Sequence, residues 1–281
     1  MVALSAALAG AVSWAGGQGA RQVAGWPLPL VCAALAFAIN WIAFVPAYAA
    51  RTERYYDLVG SLTYLSLVAC AALLGQPDAR GALLAGMVVL WALRLGSFLF
   101  RRIHQDGSDR RFDAVRGDAG KFLIAWTLQA LWVVLTLGCA LAAISTPGER
   151  ELGPLAALGA ALWLFGFLVE AVSDAQKRAF RSDPANRGRF VHSGLWAWSR
   201  HPNYFGEIVL WVGVALVAWP ALSGWQHLSL VSPLFVFLLL TRVSGVPLLE
   251  RHAEAKWGDD PLYRAYAERT PVLWPRPPRR G

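Results

Sequence analysis

Seven stretches of this chain are apolar and close to long enough to cross the hydrocarbon core of a bilayer, and that pattern restricts the fold more than any other feature. They fall at about 27–49, 58–75, 80–100, 122–144, 153–173, 204–222 and 229–249. A helix needs roughly 20 residues to span the core. The expectation is an all-α polytopic membrane protein, a bundle of seven transmembrane helices. Composition agrees: 56% of the 281 residues are hydrophobic and only 16% are charged, less charge than a soluble domain of this length carries.

Residues 1–26 read as an N-terminal lead-in, 27–273 as the transmembrane domain and 274–281 as a C-terminal tail with an extended, Pro-rich start. Met1 to Trp14 are apolar but short and lack a basic leading region, so they are not counted as a span. Cys32, Cys70 and Cys139 lie inside apolar runs. Their odd number and wide spacing exclude a disulfide framework and a metal-binding motif. The formal net charge is +8. In a membrane protein this points to anionic lipid or an anionic ligand at the cytosolic side rather than to nucleic acid.

The basic residues set an orientation. With seven spans, the loops after spans 1, 3 and 5 and the C-terminal tail carry 21 of the 26 Lys and Arg. The opposite side receives only Arg21, Arg80 and Arg150, and Arg94 and Arg242 lie within spans. The positive-inside tendency then puts the N-terminus outside and the C-terminus in the cytosol.

Ionisable side chains inside spans are costly and mark functional sites by default. Asp57, Arg94, Glu170, Glu207, Arg242 and Glu250 all fall in the cytosolic half in this orientation. Together they point to a shared polar cavity open to the cytosol; taken singly, each is also compatible with snorkelling or an end-capping ion pair.

Three stretches carry the chemistry. In the first, Arg51 to Asp57, a helical register places Glu53, Tyr56 and Asp57 on one face, two acids and a phenol able to donate protons. The second runs from Glu170 to Arg189. Glu170, Asp174, Lys177, Arg178 and Arg181 follow helical spacing, and Arg187 and Arg189 follow a Pro-Ala-Asn turn; clustered guanidinium groups suit phosphate. The third is Leu195 to Glu207, LWAWSRHPNYFGE. Pro202 fits the first turn of a helix, whose N-terminus beside Arg200 and His201 favours an anion. Asn203, Tyr204 and Glu207 then share a face directed into the bundle. The plainer alternatives are, in turn, an interfacial loop, a solvated stripe and a capped span. There is no Rossmann glycine motif and no Walker loop.

The run Arg200-His201-Pro202-Asn203-Tyr204-Phe205-Gly206-Glu207, preceded by Leu195-Trp196 and followed by Trp211-Val212-Gly213, resembles the steroid 5-alpha-reductase-like family. Ser244 to Glu250 and Tyr263-Arg264-Ala265-Tyr266 are similar to its bacterial branch. The resemblance implies seven spans, NADPH as cofactor and reduction of the C=C bond of an α,β-unsaturated ketone, as in delta-4-3-oxosteroids; it also implies an oxidoreductase acting on CH-CH groups, in a bacterial inner membrane with the site open to the cytosol. It carries cofactor-binding roles onto Asp174, Arg178, Arg181, Arg189, Asn203 and Glu207. Trp196, Arg200, His201, Tyr204, Glu250, Tyr263 and Tyr266 complete that expected set. Glu53 matches the acid that polarises the substrate carbonyl. Where the animal enzymes carry a Gln-Glu pair, this chain has Thr52-Glu53, and their catalytic Tyr on span 3 falls near Trp91. Tyr56 is the substitute phenol, and Asp57, Trp91 and Arg94 are the expected substrate-side residues.

Two other readings stay open. The membrane methyltransferases of the isoprenylcysteine carboxyl type share an Arg-His-Pro-x-Tyr-x-Gly run and bind S-adenosylmethionine, but usually carry a Glu-Glu pair where this chain has Glu250-Arg251. A lipid transporter or lipid-binding protein would spread polar groups through both membrane halves. The expected partners are the bilayer and a lipophilic enone or steroid; the physiological substrate and the oligomeric state are not read from the sequence.

Overall fold

The computed structural model describes residues 1–106, 109 and 112–278. It is 77% helical, with seven helices long and apolar enough to cross a membrane, and the protein is an all-α polytopic membrane protein. In chain order the helices are α1 (Val2–Gly16), α2 (Leu28–Ala49), α3 (Tyr56–Gly75), α4 (Ala79–Asp106), α5 (Ala119–Ser145), α6 (Pro154–Ser182) and α7 (Pro202–Ala218). The seventh span is built of pieces: a 3-10 segment at Gly224–Leu230, α8 (Val231–Leu238), a π turn at Leu239–Val243 and α9 (Gly245–Trp257). A short α10 (Pro261–Arg269) follows. Among the described residues the one small β element pairs Gln22–Val23 with Trp26–Pro27 across an Ala24-Gly25 turn, both turn residues at positive φ, as a tight hairpin requires.

The expected spans and the helices agree within a few residues at most ends. Helix α6 runs on past residue 173 to Ser182, as the helical spacing from Glu170 to Arg181 predicts; the clear differences are α4, which runs past residue 100 to Asp106, and the last span, which extends over Gly224–Trp257 rather than 229–249. Apolar composition stops at the lipid boundary, but backbone hydrogen bonding does not, and an amphipathic stripe sustains the helix beyond it.

The chain divides into two compact units, Met1–Ala157 with Val214–Ser232, and Leu158–Gly213 with Pro233–Gly281. The first is organised on α5, whose apolar window is 83% buried against α1, α2, α3, α4 and the 224–230 segment. A polar network pins this packing. Gln129 Nε2 donates to Asn40 Oδ1 at 2.9 Å and to the Tyr56 carbonyl at 3.1 Å, and Asn40 Nδ2 reaches Thr63 Oγ1 at 3.2 Å. Inside an apolar bundle such amides must be paired, so the network fixes the register of α2, α3 and α5. The N-terminal α1 is docked on α5, and the fully buried Gln226 donates to its Gly16 carbonyl at 3.3 Å.

Arg21, Arg80 and Arg150, the three basic residues set apart by the charge count, have one use in common: each satisfies carbonyls at the ends of spanning helices. Arg21 Nε donates to Gly75 O at 2.9 Å, Arg80 Nη1 to Val217 O at 2.9 Å, and Arg150 Nη1 to Thr146 O at 3.5 Å. Arg80, only 3% exposed, also donates to Glu151 O. The last carbonyls of a helix have no internal partner, and a cation there also opposes the helix dipole.

The second unit rests on glycine. A Cβ at Gly206 of α7 would lie 2.6 Å from the Gly166 carbonyl oxygen of α6 and 2.7 Å from Glu170 N. One at Gly213 would lie 2.5 Å from Gly159 O. Both pairs are spaced by seven residues, so the two backbones touch along one seam, as small residues permit between membrane helices.

Arg80→Ala is expected to destabilise the protein by on the order of 2 kcal/mol, because the buried Val217 carbonyl and the part-buried Glu151 carbonyl lose a charged donor. A thermal unfolding series in detergent checks this, and a midpoint equal to that of wild type contradicts it.

Candidate functional site

The α6–α7 seam decides what faces the start of α7. Trp196, in the 3-10 turn Gly194–Ala197, is 4% exposed, and its indole N–H donates to Ser173 O of α6 at 3.0 Å. Gly194, at φ +62°, lies against Gln176, whose Oε1 accepts from Leu195 N at 2.9 Å. From the other side, the Tyr266 hydroxyl donates to Trp196 O at 2.8 Å, and Arg200 N donates to Pro271 O at 2.9 Å. The segment leading into α7 is thus held by α6 and by the chain around α10, and Pro202 opens the helix as expected.

At that helix N-terminus Glu250 of α9 bridges two neighbours. Its Oε1 lies 2.7 Å from His201 Nε2 and its Oε2 lies 2.6 Å from Arg200 Nη1. The Tyr204 ring stacks on His201, with centroids 5.7 Å apart and planes at 13°. A Cβ at Gly245 would lie 2.8 Å from the Tyr204 ring, so glycine is needed where the π turn hands over to α9. Burial pushes the His201 pKa down; Glu250 opposes this, and Lys177 and Arg200 add to it. In the neutral ring Nε2–H donates to Glu250, leaving Nδ1 as an acceptor. Nδ1 of His201 and Nε of Arg200 are both buried and have no hydrogen-bond partner among the described residues. Burial also raises the phenol pKa values of Tyr263 and Tyr266, keeping both neutral donors.

Acids and arginines separate along α6. Glu170, Asp174 and, on α7, Glu207 are buried, and Asn203 Nδ2 lies 3.4 Å from Asp174 Oδ1. Lys177 sits 4.8 Å over the Trp196 ring. Arg178, Arg181, Arg187 and Arg189 are exposed and form no side-chain ion pair among the described residues. The loop carrying Arg187 and Arg189 is nevertheless anchored: Trp257 Nε1 donates to Gly188 O at 2.6 Å, and Phe190 packs on Tyr263 and Tyr266 with centroids 5.2 and 5.4 Å away. The second unit therefore gathers Asp174, Trp196, Arg200, His201, Asn203, Tyr204, Glu250, Tyr263 and Tyr266 into linked contacts, with uncommitted guanidinium groups on the same helix and loop.

The first unit holds Glu53, Tyr56, Asp57, Trp91 and Arg94. Glu53 is not on the helix that its spacing predicted. Helix α3 begins at Tyr56; Arg51 takes a positive φ of 47°, and Thr52 N donates to Ala47 O at 2.9 Å. The tight reversal between α2 and α3 uses up the turn that would have carried Glu53. Its carboxylate is 4% exposed and fully engaged: Oε1 accepts from Asp109 N at 2.8 Å and Oε2 from Arg116 Nη1 at 3.2 Å. Asp57 pairs with Arg102 at 3.0 Å, and the Tyr56 hydroxyl donates to Ala125 O at 2.9 Å. Trp91 stands edge-on to Tyr64 at 4.9 Å, and Arg94 lies 5.8 Å from the Phe98 ring centroid. Arg102, Asp109 and Arg116 were not singled out from the sequence; the only signal was the long, six-fold basic connection after span 3. All three cysteines are free.

The His201 environment has a pH signature. Its folded pKa lies below the ordinary 6.5, so in that window the unfolded chain binds the extra proton and stability falls as pH drops. His201→Gln is expected to flatten the loss of thermal stability between about pH 7 and 5.5. Equal pH slopes in the two proteins contradict this.

Comparison with known proteins follows the same lines. An uncharacterized protein of Schizosaccharomyces pombe is 25% identical over 227 residues, 70% of this chain and 64% of its own. The 3-oxo-5-alpha-steroid 4-dehydrogenase 1 of Bos taurus is 39% identical over 67 residues, 24% of this chain and 26% of its own. A probable O-methyltransferase of Ustilaginoidea virens is 30% identical over 109 residues, 34% of this chain and 38% of its own. The chain thus spans less than two thirds of each of these relatives. Distant similarity extends to sterol reductases as well. No solved structure gives a significant match. The profile described as protein of unknown function DUF1295 matches residues 43–270, and the chain belongs to that family.

Proposed function

We propose that this protein is a membrane-embedded, NADPH-dependent reductase of the C=C bond of lipophilic α,β-unsaturated ketones, delta-4-3-oxosteroids being one such class. The observation that carries the proposal is the charge arrangement of the second unit. Arg178, Arg181, Arg187 and Arg189 have no acidic side chain to neutralise them among the described residues, and unpaired guanidinium groups suit a polyphosphorylated ligand. The buried, unpartnered Nδ1 of His201 and Nε of Arg200 fit the same reading, since buried polar atoms are ordinarily hydrogen-bonded and a bound ligand would supply the missing partners.

The residues divide by task. Arg178, Arg181, Arg189 and Arg200 would bind phosphate, with the N-terminus of α7 adding its dipole. His201 Nδ1 would accept from a hydroxyl or amide N–H of the ligand, and Asp174, Asn203 and Glu207 would orient it. NADPH, when bound, supplies the hydride; the protein supplies placement and a dry surrounding. Glu53 would hydrogen-bond the ketone oxygen and stabilise the developing enolate, with Tyr56 or another phenol assisting. The charge asymmetry of the loops supports a cytosolic C-terminus in a bacterial inner membrane.

The methyltransferase reading has one finding in its favour, the match to a probable O-methyltransferase. Against it, Glu250 is followed by Arg251 and is itself committed to Arg200 and His201.

Arg181→Ala is expected to weaken NADPH binding about tenfold; unchanged affinity removes Arg181 from the site. Glu53→Gln is expected to keep NADPH affinity and lose about a hundredfold or more in turnover of a lipophilic enone, followed as NADPH consumption with product analysis. Normal turnover by that variant would show that Glu53 does not act on the carbonyl.

A further inference from the structure

Helices α2 and α3 run antiparallel, and two contacts fix their register. A Cβ at Gly75, at the end of α3, would lie 3.4 Å from Leu28 Cδ2 at the start of α2. Deeper in the bundle, Asn40 Nδ2 reaches Thr63 Oγ1 at 3.2 Å. Between these contacts, Cys32 lies about one turn in from Leu28 and Cys70 about a turn and a half in from Gly75. The register therefore brings two thiols, far apart in sequence, to one level. The side chains agree with it. Cys32 Sγ lies 3.8 Å from the Leu67 carbonyl oxygen, one turn from Cys70 on α3, and the two thiols are within hydrogen-bonding reach of each other. Ala36, one turn from Cys32, and Ala71, next to Cys70, are fully buried; small residues of this kind let membrane helices approach closely. Cys32 itself is fully buried, whereas Cys70 is partly exposed on the spanning segment.

A buried cysteine usually serves as a small apolar side chain, and Cys139, fully buried beside Ser232, fits that use. Cys32 and Cys70 differ in two respects. They meet across two helices, and one of them is open to the outside of the bundle. A disulfide needs converging Cβ vectors and Cα atoms within about 7 Å; thiols in mutual reach on closely packed helices are arranged for it. We propose that Cys32 and Cys70 form a reactive dithiol that small lipophilic disulfides oxidise, from the bilayer, to an intramolecular disulfide, with Cys70 attacking and Cys32 resolving. Cys70, as its thiolate, attacks one sulfur of the reagent. The reagent's S–S bond breaks, and one reagent thiol leaves with the proton that Cys70 gave up. Cys32 then attacks the mixed disulfide at the Cys70 sulfur, forms the Cys32–Cys70 bond and expels the second reagent thiol with its own proton. The two cysteines lose two electrons and two protons, and the reagent gains both. The roles follow from access, since Cys70 is partly exposed and Cys32 is covered. The pairing depends on neither the reductase reading nor the orientation of the chain; in the proposed orientation these ends of α2 and α3 face the periplasmic side, where disulfides persist.

The test uses the full chain in lipid nanodiscs, with dithiodipyridine, a small uncharged disulfide, as the probe. Thiopyridone release is followed by absorbance, and the state of each cysteine is assigned by peptide mapping under non-reducing conditions. Wild type should release two thiopyridones per chain from these two positions, keep no thiopyridyl adduct on either, and yield a Cys32–Cys70 linked peptide pair within one chain. Cys32→Ala should release one from Cys70 and retain the adduct there. A lasting adduct on Cys70 in wild type overturns the pair, as do untouched thiols at both positions or a link between two chains. In case truncation at the buried Cys32 compromises folding, Cys70→Ala, at the partly exposed position, gives a second readout. Cys32 should then react far more slowly than wild type closes; an equal or faster rate overturns the relay through Cys70. NADPH takes no part in these measurements, so failure of the reductase reading shows separately, as absent NADPH consumption.

Discussion

The backbone contact between α6 and α7 is the constraint from which the candidate site of the second unit follows. With no Cβ at Gly206 and Gly213, the two helices meet at carbonyl-to-Cα distance, and such a seam admits only one register. Gly206 lies against Glu170, and one turn away Asn203 comes to Asp174. Ser173 receives the Trp196 indole. Any residue larger than glycine at the crossing would push apart the polar side chains that the site needs. The contact is local and inexpensive, yet it converts two separate polar stretches of sequence into one surface.

Charge is sorted on that surface. Carboxylates that are buried have named partners or lie in the seam, and guanidinium groups that lack acidic partners are at the exposed end. A stability device would pair these charges with each other. Leaving them unpaired raises the local positive potential, which favours a multiply charged anion. In the first unit the logic is reversed: Glu53 is paired with Arg116 from the connection after α4 and Asp57 with Arg102 from the last turns of α4.

Much of this was legible before any coordinates. Seven spans follow from apolar run length, because lipid imposes that length directly. Asp174, Arg200, His201 and Asn203 were named from the charged helical stripe after Glu170 and from the Pro202 helix start, and Glu250 from its place as an ionisable residue closing a span. What was not legible depended on backbone direction or on distant partners. Glu53 was assigned to a helix, since i, i+3, i+4 spacing describes a face only if the helix already exists; the turn after Ala49 ended it. The partners of Glu53 and Asp57 lie 45 to 63 residues away, beyond any periodicity. Arg21, Arg80 and Arg150 were read as exceptions to a charge rule, but they cap helix ends, a role that appears only once the ends are in place. The π turn that presents α9 has no signature beyond the Ser244-Gly245 step.

The central claim is that the surface formed by α6, α7 and α9 holds a phosphorylated nicotinamide cofactor. Equilibrium binding of NADPH and of S-adenosylmethionine to the purified wild-type chain tests it most directly. The account predicts saturable, one-to-one NADPH binding that S-adenosylmethionine does not compete away. Saturable S-adenosylmethionine binding with none for NADPH would contradict it.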